Sequence, residues 1–364
     1  MAQTVKAKAR PAVQLPLVDV FLWLIRLAAL VALFWGAFRS LTGRGLVTLS
    51  SAQWRDNVVS GLSSGSVYAL IALGYTMVYG VLRFINFPHG EVFMAGTMVG
   101  YFVAQALSGT FLYQGNMIFV ALLIVLLSSM ATSTFIAVLL EKVAYRPLRG
   151  KPRLIPFITA IGASFFLQYT FAGLFGVGVK NYPEVTQVNG RLGVAGLHFL
   201  LKTQGIVIVA ALVMMASLYL FVERTKTGKA IRAVAEDQEI ARLMGINVDR
   251  TISLVFAIGG AMAGIAAFLY ALAFGQAQPF DGFLPGITAF TASVLGGIGN
   301  IAGAMVGGLI IGLIEQVSPN LVLSGLGIPA AFQLKSMVVF LALVVILIFR
   351  PTGILGERVA EERA

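Results

Sequence analysis

The chain is organised around apolar runs that approach or reach the length of a membrane crossing, and they leave few folds open to it. We read them at residues 18–38, 58–82, 91–107, 118–140, 154–177, 206–222, 251–274 and 337–349, with two shorter or glycine-broken runs at 284–295 and 301–314. Crossing roughly 30 Å of hydrocarbon takes about 20 helical residues. A helix also satisfies its own backbone amides, which lipid cannot do. The expected fold is therefore an all-α polytopic membrane protein with about eight to ten transmembrane helices, some of them discontinuous. Composition agrees: 58% of residues are hydrophobic with 40 glycines not counted, and mean hydropathy is +0.90. Soluble domains hold roughly 45–50% apolar residues with glycine included.

Several function classes drop out early. There is no cysteine, and the two histidines, His89 and His198, lie far apart, so neither thiolate nor imidazole metal sites are expected. The net charge of +11 would suit nucleic acid, but much of it marks topology. Lys142, Arg146, Arg149, Lys151 and Arg153 crowd one short loop against a single acid, Glu141, and such loops stay cytoplasmic. Counting helices outward places both termini, the Arg83 turn and the segment 225–250 on that same side. Arg39, Arg44 and Arg55 then fall outside, against the rule. Lys6, Lys8 and Arg10 precede an apolar stretch too long for a cleaved signal, which reads as a retained first helix.

Small and polar residues carry the remaining information. Glycines four apart at Gly61/Gly65, Gly96/Gly100, Gly260/Gly264 and Gly299/Gly303/Gly307 make smooth helix stripes, and their plain reading is close helix packing. The run VLGGIGNIAGAMVGG misses the dinucleotide spacing by one residue and lacks a strand–helix context. TKTGKA lacks the first glycine of a P-loop. In RFINFPHGEVFMAG, residues 83–96, a proline removes a backbone donor and a glycine relaxes the chain, so the helix should break. A break at membrane depth marks a pathway or gate; a short cytoplasmic turn, with Glu91 complementing the next helix, is the plainer alternative.

The segment TKTGKAIRAVAEDQEIARLMGINVDR, residues 225–250, is unlike the rest. Five basic residues (Lys226, Lys229, Arg232, Arg242, Arg250) nearly balance four acidic ones (Glu236, Asp237, Glu239, Asp249). The apolar spacing predicts one or two short amphipathic helices, with Glu236 and Asp237 at the start of the second and Gly245 closing it in the left-handed conformation. A near-neutral cytosolic helix is a poor lipid-binding patch and a plausible docking knob.

AEDQEIARLMGINVDRTISLVFAIGGAMAG resembles the cytoplasmic loop and following helix of permease subunits of bacterial ABC importers of the branched-chain amino-acid type. SVYALIALGYTMVYGVLRFINFPHGEVFMAG, SVLGGIGNIAGAMVGGLIIGLIE and LIFRPTGILGE resemble other recurrent segments of that family, in order, from about Gly61 to Glu357. The resemblance implies an N-terminal extension with the first helix at residues 1–56, longer than the family leads one to expect, and a permease domain at 57–364 with its coupling loop at 223–250. It implies an inner-membrane importer of branched-chain or other neutral amino acids, not itself an enzyme. The partners would be a second, homologous permease subunit, two cytosolic ATPase subunits that hold ATP and magnesium, and a periplasmic substrate-binding protein; this chain would carry no cofactor.

By the same analogy Ala235, Glu236, Asp237, Glu239, Ile240, Ala241, Arg242, Leu243, Met244 and Gly245 form a coupling helix seated on the ATPase. Ala235 and Ala241 would permit close approach, Ile240, Leu243 and Met244 would be apolar anchors, and Glu239 and Arg242 would fix register. Asn86, Phe87, Pro88, His89, Gly90 and Glu91, with Gly299, Asn300 and Gly303, resemble paired discontinuous segments along the pathway, as an internal inverted repeat would give. Relatives that carry urea or short amides leave the substrate open. An ion-coupled secondary transporter is the rival of another class; it would need titratable groups within the spans, where the candidates are Asp19, Arg26, Glu91 and Glu315.

Overall fold

A computed structural model describes residues 17–113, 115–152, 154–185, 187–192, 200–350 and 352–356. Lys6, Lys8, Arg10, Arg153 and His198, used above, lie outside the described residues. The chain divides into two compact units, residues 1–48 with 319–331, and 49–318 with 332–364.

In the first unit, helix α1 (Leu17–Leu41) packs on the π-helical turn Pro319–Leu323. The approach is close because Gly36 presents no side chain: a Cβ there would lie 2.5 Å from the Val322 carbonyl oxygen. Ser40 Oγ donates to the Asn320 carbonyl at 2.9 Å, and Val47 N donates to Ser324 Oγ at 3.0 Å.

The second unit is a helical bundle. Its elements are α2 (Ser51–Leu82), α3 (His89–Ser108), α4 (Ile118–Leu140), α5 (Leu154–Phe175), α6 (Lys202–Arg224), α7 (Lys226–Glu236), α8 (Gln238–Leu243), α9 (Val248–Phe274), α10 (Phe283–Gly296), α11 (Ile301–Ser318) and α12 (Lys335–Phe349), with β1 (Lys180–Asn181) paired antiparallel to β2 (Gln276–Ala277). Among the described residues eight helices are long and apolar enough to cross a membrane.

Helix α2 is the axis. Ser63, Ser64, Gly65, Ser66, Ala69 and Ala72 are all buried, because small residues let neighbouring backbones approach where bulky ones would hold them apart. Helix α11 runs antiparallel to it: Gly308 lies on Ala69, Gly312 on Gly65, and Gly61 on Leu313. The other glycine stripes are also packing faces. Gly96 and Gly100 meet Ser133 and Ser129 of α4, Gly260 and Gly264 meet the α4 backbone, and Gly303 and Gly307 meet Gly296 and Ala292 of α10, whereas Gly299 touches nothing. Helices α4, α5, α6 and α12 carry most of the exposed apolar side chains of this unit.

Two spans differ from the sequence reading. The run at 301–314 extends to a full crossing, Ile301–Leu323, whose hydropathy is diluted by glycine and Glu315. Residues 91–107 belong to a helix that is not among the eight long apolar ones; α3 carries His89, Glu91 and Thr97, and it tolerates them because α2, α4 and α9 surround it.

Candidate functional site

The break after α2 is not a surface turn. Arg83 leaves the helix in the left-handed conformation (φ 58°), and the chain then climbs back along α2 until the His89 ring lies against Gly74. Gly74 is eight residues before Leu82, so at 1.5 Å per residue α3 begins about 12 Å inside the end of α2. Non-helical backbone at such depth survives only inside protein or along a water-filled path.

Each residue of the break is held. Tyr145 Oη donates to Asn86 Oδ1 at 2.7 Å. The Phe87 ring meets Phe157 of α5 edge-on at 5.6 Å. Pro88 is the helical residue just before α3. His89, 1% exposed, lies edge-on to Tyr75 at 4.8 Å. Gly90 abuts Gly282 and Gly286 at the start of α10, where a Cβ would strike the Gly282 carbonyl. Glu91 is 2% exposed; its Oε1 accepts from Ser164 Oγ at 3.4 Å, and its Oε2 has no hydrogen-bond partner. Two helix starts, of α3 and α10, therefore converge on one buried carboxylate.

Gly299 and Asn300 sit in the tight α10–α11 turn, and Gly303 lies in the first turn of α11. Asn300 Oδ1 accepts from Gly303 N at 2.8 Å, and its Nδ2 donates to the Leu355 carbonyl at 2.8 Å. The structure connects this turn to the break through Ile298, which shares a small cavity with Asn86 and Tyr79.

The polar segment forms two helices, α7 and α8. In α7, Ile231 and Val234 face inward and Thr225 Oγ1 accepts from Gly228 N at 3.0 Å. Ala235 and Glu236 close α7. Asp237 opens α8, its Oδ1 accepting from the amides of Glu239 (2.7 Å) and Ile240 (2.9 Å), and Gly245 ends the segment at φ 81°. Ala241 is buried against its own bundle and Ala235 is half-buried. The outward face carries Ile240, Leu243 and Met244, exposed by 59%, 86% and 77%, beside exposed Glu239 and Arg242.

This pair of helices is tied to the end of α2. Arg83 Nη2 donates to the Ala235 carbonyl at 2.7 Å, and Gln238 Nε2 donates to the Val81 carbonyl at 2.8 Å. A second route runs through the π-helical turn Glu141–Tyr145 that follows α4. There Glu141, fully buried, accepts from Arg146 at 3.2 Å, from Arg149 and from Ser253 Oγ at 2.7 Å, while Arg149 also pairs with Asp249 at the start of α9. Burial lowers the Arg149 pKa, and its two carboxylate partners oppose that shift. At the opposite end, burial raises the Tyr182 hydroxyl, which donates to the Thr97 carbonyl at 2.5 Å. Burial also raises Asp281, against hydrogen bonds from Gln278.

Tyr145, Ser164, Gly282 and the Glu141 network were not singled out from sequence. Their partners lie far along the chain, and only the glycines and the lone acid of the basic loop left a local trace.

The family described as branched-chain amino acid transport system / permease component matches residues 57–348. Over 309 residues the chain is 41% identical to the high-affinity branched-chain amino acid transport system permease protein BraD of Pseudomonas aeruginosa, covering 84% of this chain and 97% of that one. Over 314 residues it is 39% identical to the permease protein LivH of Escherichia coli K12, with the same coverage. The probable LivH of Methanocaldococcus jannaschii is 30% identical over 302 residues, 80% of this chain and 89% of that one.

Proposed function

Since the chain belongs to the family of permease components of branched-chain amino acid transport systems, a transport subunit and not a catalyst, we propose that it works in an ATP-driven, binding-protein-dependent importer of branched-chain or other neutral amino acids. The observation that carries this reading is α8: a capped helix in a charged loop that exposes Ile240, Leu243 and Met244 while its root is hydrogen-bonded to the end of α2. Apolar side chains facing water rather than lipid suit a protein groove, here that of an ATPase.

Closure of paired ATPases would move α8, and the two hydrogen bonds and the Glu141–Arg149–Asp249 network would carry that movement to the Asn86–Glu91 break, which we place on the route. The α10–α11 turn with Gly299, Asn300 and Gly303 would bound the route on the docking side. Partners are a second, homologous permease subunit, two cytosolic ATPases that bind ATP and magnesium, and a periplasmic binding protein. Residues 1–56 are an extension bearing an added helix. From the basic loop after α4 we read both termini as cytoplasmic, in a bacterial inner membrane.

The test is uptake of labelled leucine into proteoliposomes. It should require ATP, the ATPases and the binding protein together; uptake by this chain alone on an ion gradient would refute the reading.

A further inference from the structure

Helices α2, α5, α9, α10 and α11, the α9–α10 connection and the start of α12 line a half-open cavity of about 630 Å³. This is ample for a small ligand, since ligand sites run from about 300 to 1,000 Å³. Its wall is mostly aromatic and aliphatic, with Phe165, Tyr270, Phe283 and Leu284 among its residues, yet Glu315, Lys335 and Asp281 also line it. Glu315 is 5% exposed and sits within the apolar crossing Ile301–Leu323.

The charges there are only half joined. Glu315 Oε1 faces Lys335 Nζ at 3.6 Å, longer than the roughly 2.7–2.9 Å of a charge-assisted hydrogen bond. Glu315 Oε2 is buried without a partner at full hydrogen-bond geometry, and the Tyr68 hydroxyl on the same wall interacts with this carboxylate without joining it to Lys335. Lys335 has three donors; besides Glu315 it lies 5.4 Å from the Phe332 ring. Asp281, by contrast, is engaged by Gln278, whose amide N and Nε2 donate to it at 3.0 and 2.8 Å. Buried charge with an open acceptor beside an under-used ammonium is expensive to keep, and ionisable groups inside a crossing are usually there for function.

We propose that this cavity recognises a zwitterionic α-amino acid, its ammonium on Glu315 Oε2, its carboxylate on Lys335 Nζ, and its aliphatic side chain along Phe165, Phe283 and Leu284. The proposal deepens the amino-acid permease reading and takes its substrate class from it. A zwitterion brings one charge of each sign, so both ends are matched and the net charge of the cavity does not change. A plain amine leaves Lys335 unmatched; a plain acid leaves Glu315 unmatched.

The absence of cysteine from the chain allows a direct test. Ser336, half-buried on the same wall, is replaced (Ser336→Cys) in the full chain, in nanodiscs of phosphatidylcholine and phosphatidylglycerol, which lack amine headgroups that would compete. The rate of modification by a small thiol reagent is then read with added L-leucine, isoamylamine or isocaproate. L-leucine should slow labelling, and the two half-ligands should need concentrations on the order of 10- to 100-fold higher, the worth of one lost charge-assisted contact. Adding the charge-neutral pair Glu315→Gln and Lys335→Met should abolish protection, read against that variant's own unliganded rate because loss of the neighbouring ammonium changes the thiolate fraction of the cysteine. Equal protection by isoamylamine, no protection by L-leucine, or undiminished protection in the double variant would each overturn the proposal. If the double variant does not fold, the comparison of the three ligands on the intact pair decides. The assay needs neither ATP nor partners, so it can fail while ATP-driven uptake succeeds, and the reverse.

Discussion

Replacing Leu243 and Met244 together by alanine strips the outward face of α8. These side chains are 86% and 77% exposed, so in the chain alone they bury little, and their loss should change its stability by no more than about 0.5 kcal/mol each. In a docked complex the account reverses. Burying a leucine or methionine side chain fully is worth about 1.5–3 kcal/mol, and alanine keeps only part of that. The double variant should therefore weaken docking by about 2–4 kcal/mol, which is roughly 30- to 1,000-fold in Kd. The assay titrates a labelled ATPase subunit onto nanodisc-embedded permease, with leucine uptake measured in parallel and the thermal unfolding midpoint as a control. Asp237→Ala supplies an independent arm: it removes the cap from a six-residue helix at a cost of about 1 kcal/mol, while Asp237→Asn, which still caps, should retain binding. If both Leu243→Ala/Met244→Ala and Asp237→Ala dock within about threefold of the unmodified chain, roughly 0.6 kcal/mol, then α8 is not a docking element and the reasoning fails.

Glu141→Gln should lower the unfolding midpoint of the purified chain sharply, because the buried carboxylate accepts from Arg146, Arg149 and Ser253, and breaking a buried pair costs about 3–5 kcal/mol; an unchanged midpoint would deny the network any structural weight. Gly308→Val should destabilise the α2–α11 contact by about 1–3 kcal/mol or more, through overpacking against the Ala69 backbone. Gly80→Ala, where a Cβ meets nothing within 4 Å, should be neutral or gain roughly 0.5–1 kcal/mol, so parallel unfolding curves of the two variants check the packing account.

The sequence was most legible where structure is local. Asp237 and Gly245 announced the ends of α8 because caps act within one turn, and the glycine stripes announced tight faces because their spacing matches a helix. The apolar runs marked ten of the helices to within a few residues at most ends. What stayed hidden depends on partners distant in the chain. Hydropathy windows average over a face, so they could not show that α3 is walled in by three helices and starts deep in the bundle. Glu141 counted only as one acid against five basic residues, whereas Arg149 joins it to Asp249 across 100 positions. The pairing of Glu315 with Lys335 spans the whole connection from α11 to α12, and nothing near either residue advertises the other.

The arrangement of α2, α3, α10 and α11 bears on how the protein is made. The fourteen-residue α10 is too short to cross a bilayer by itself, and α3 would carry His89 and Glu91 into bare hydrocarbon at a penalty. Lipid alone would retain both poorly, whereas α5, α6 and α12 are greasy enough to wait in it unaided. During synthesis α2 emerges before α10 and α11, which both pack on it, so these less lipid-soluble pieces have an earlier helix to settle against, whereas α3 gains its main partners, α4 and α9, only after it has emerged. That later part of the interior is thus recruited by protein already in the membrane, and shuffling that birth order should harm insertion more than trimming any outer helix.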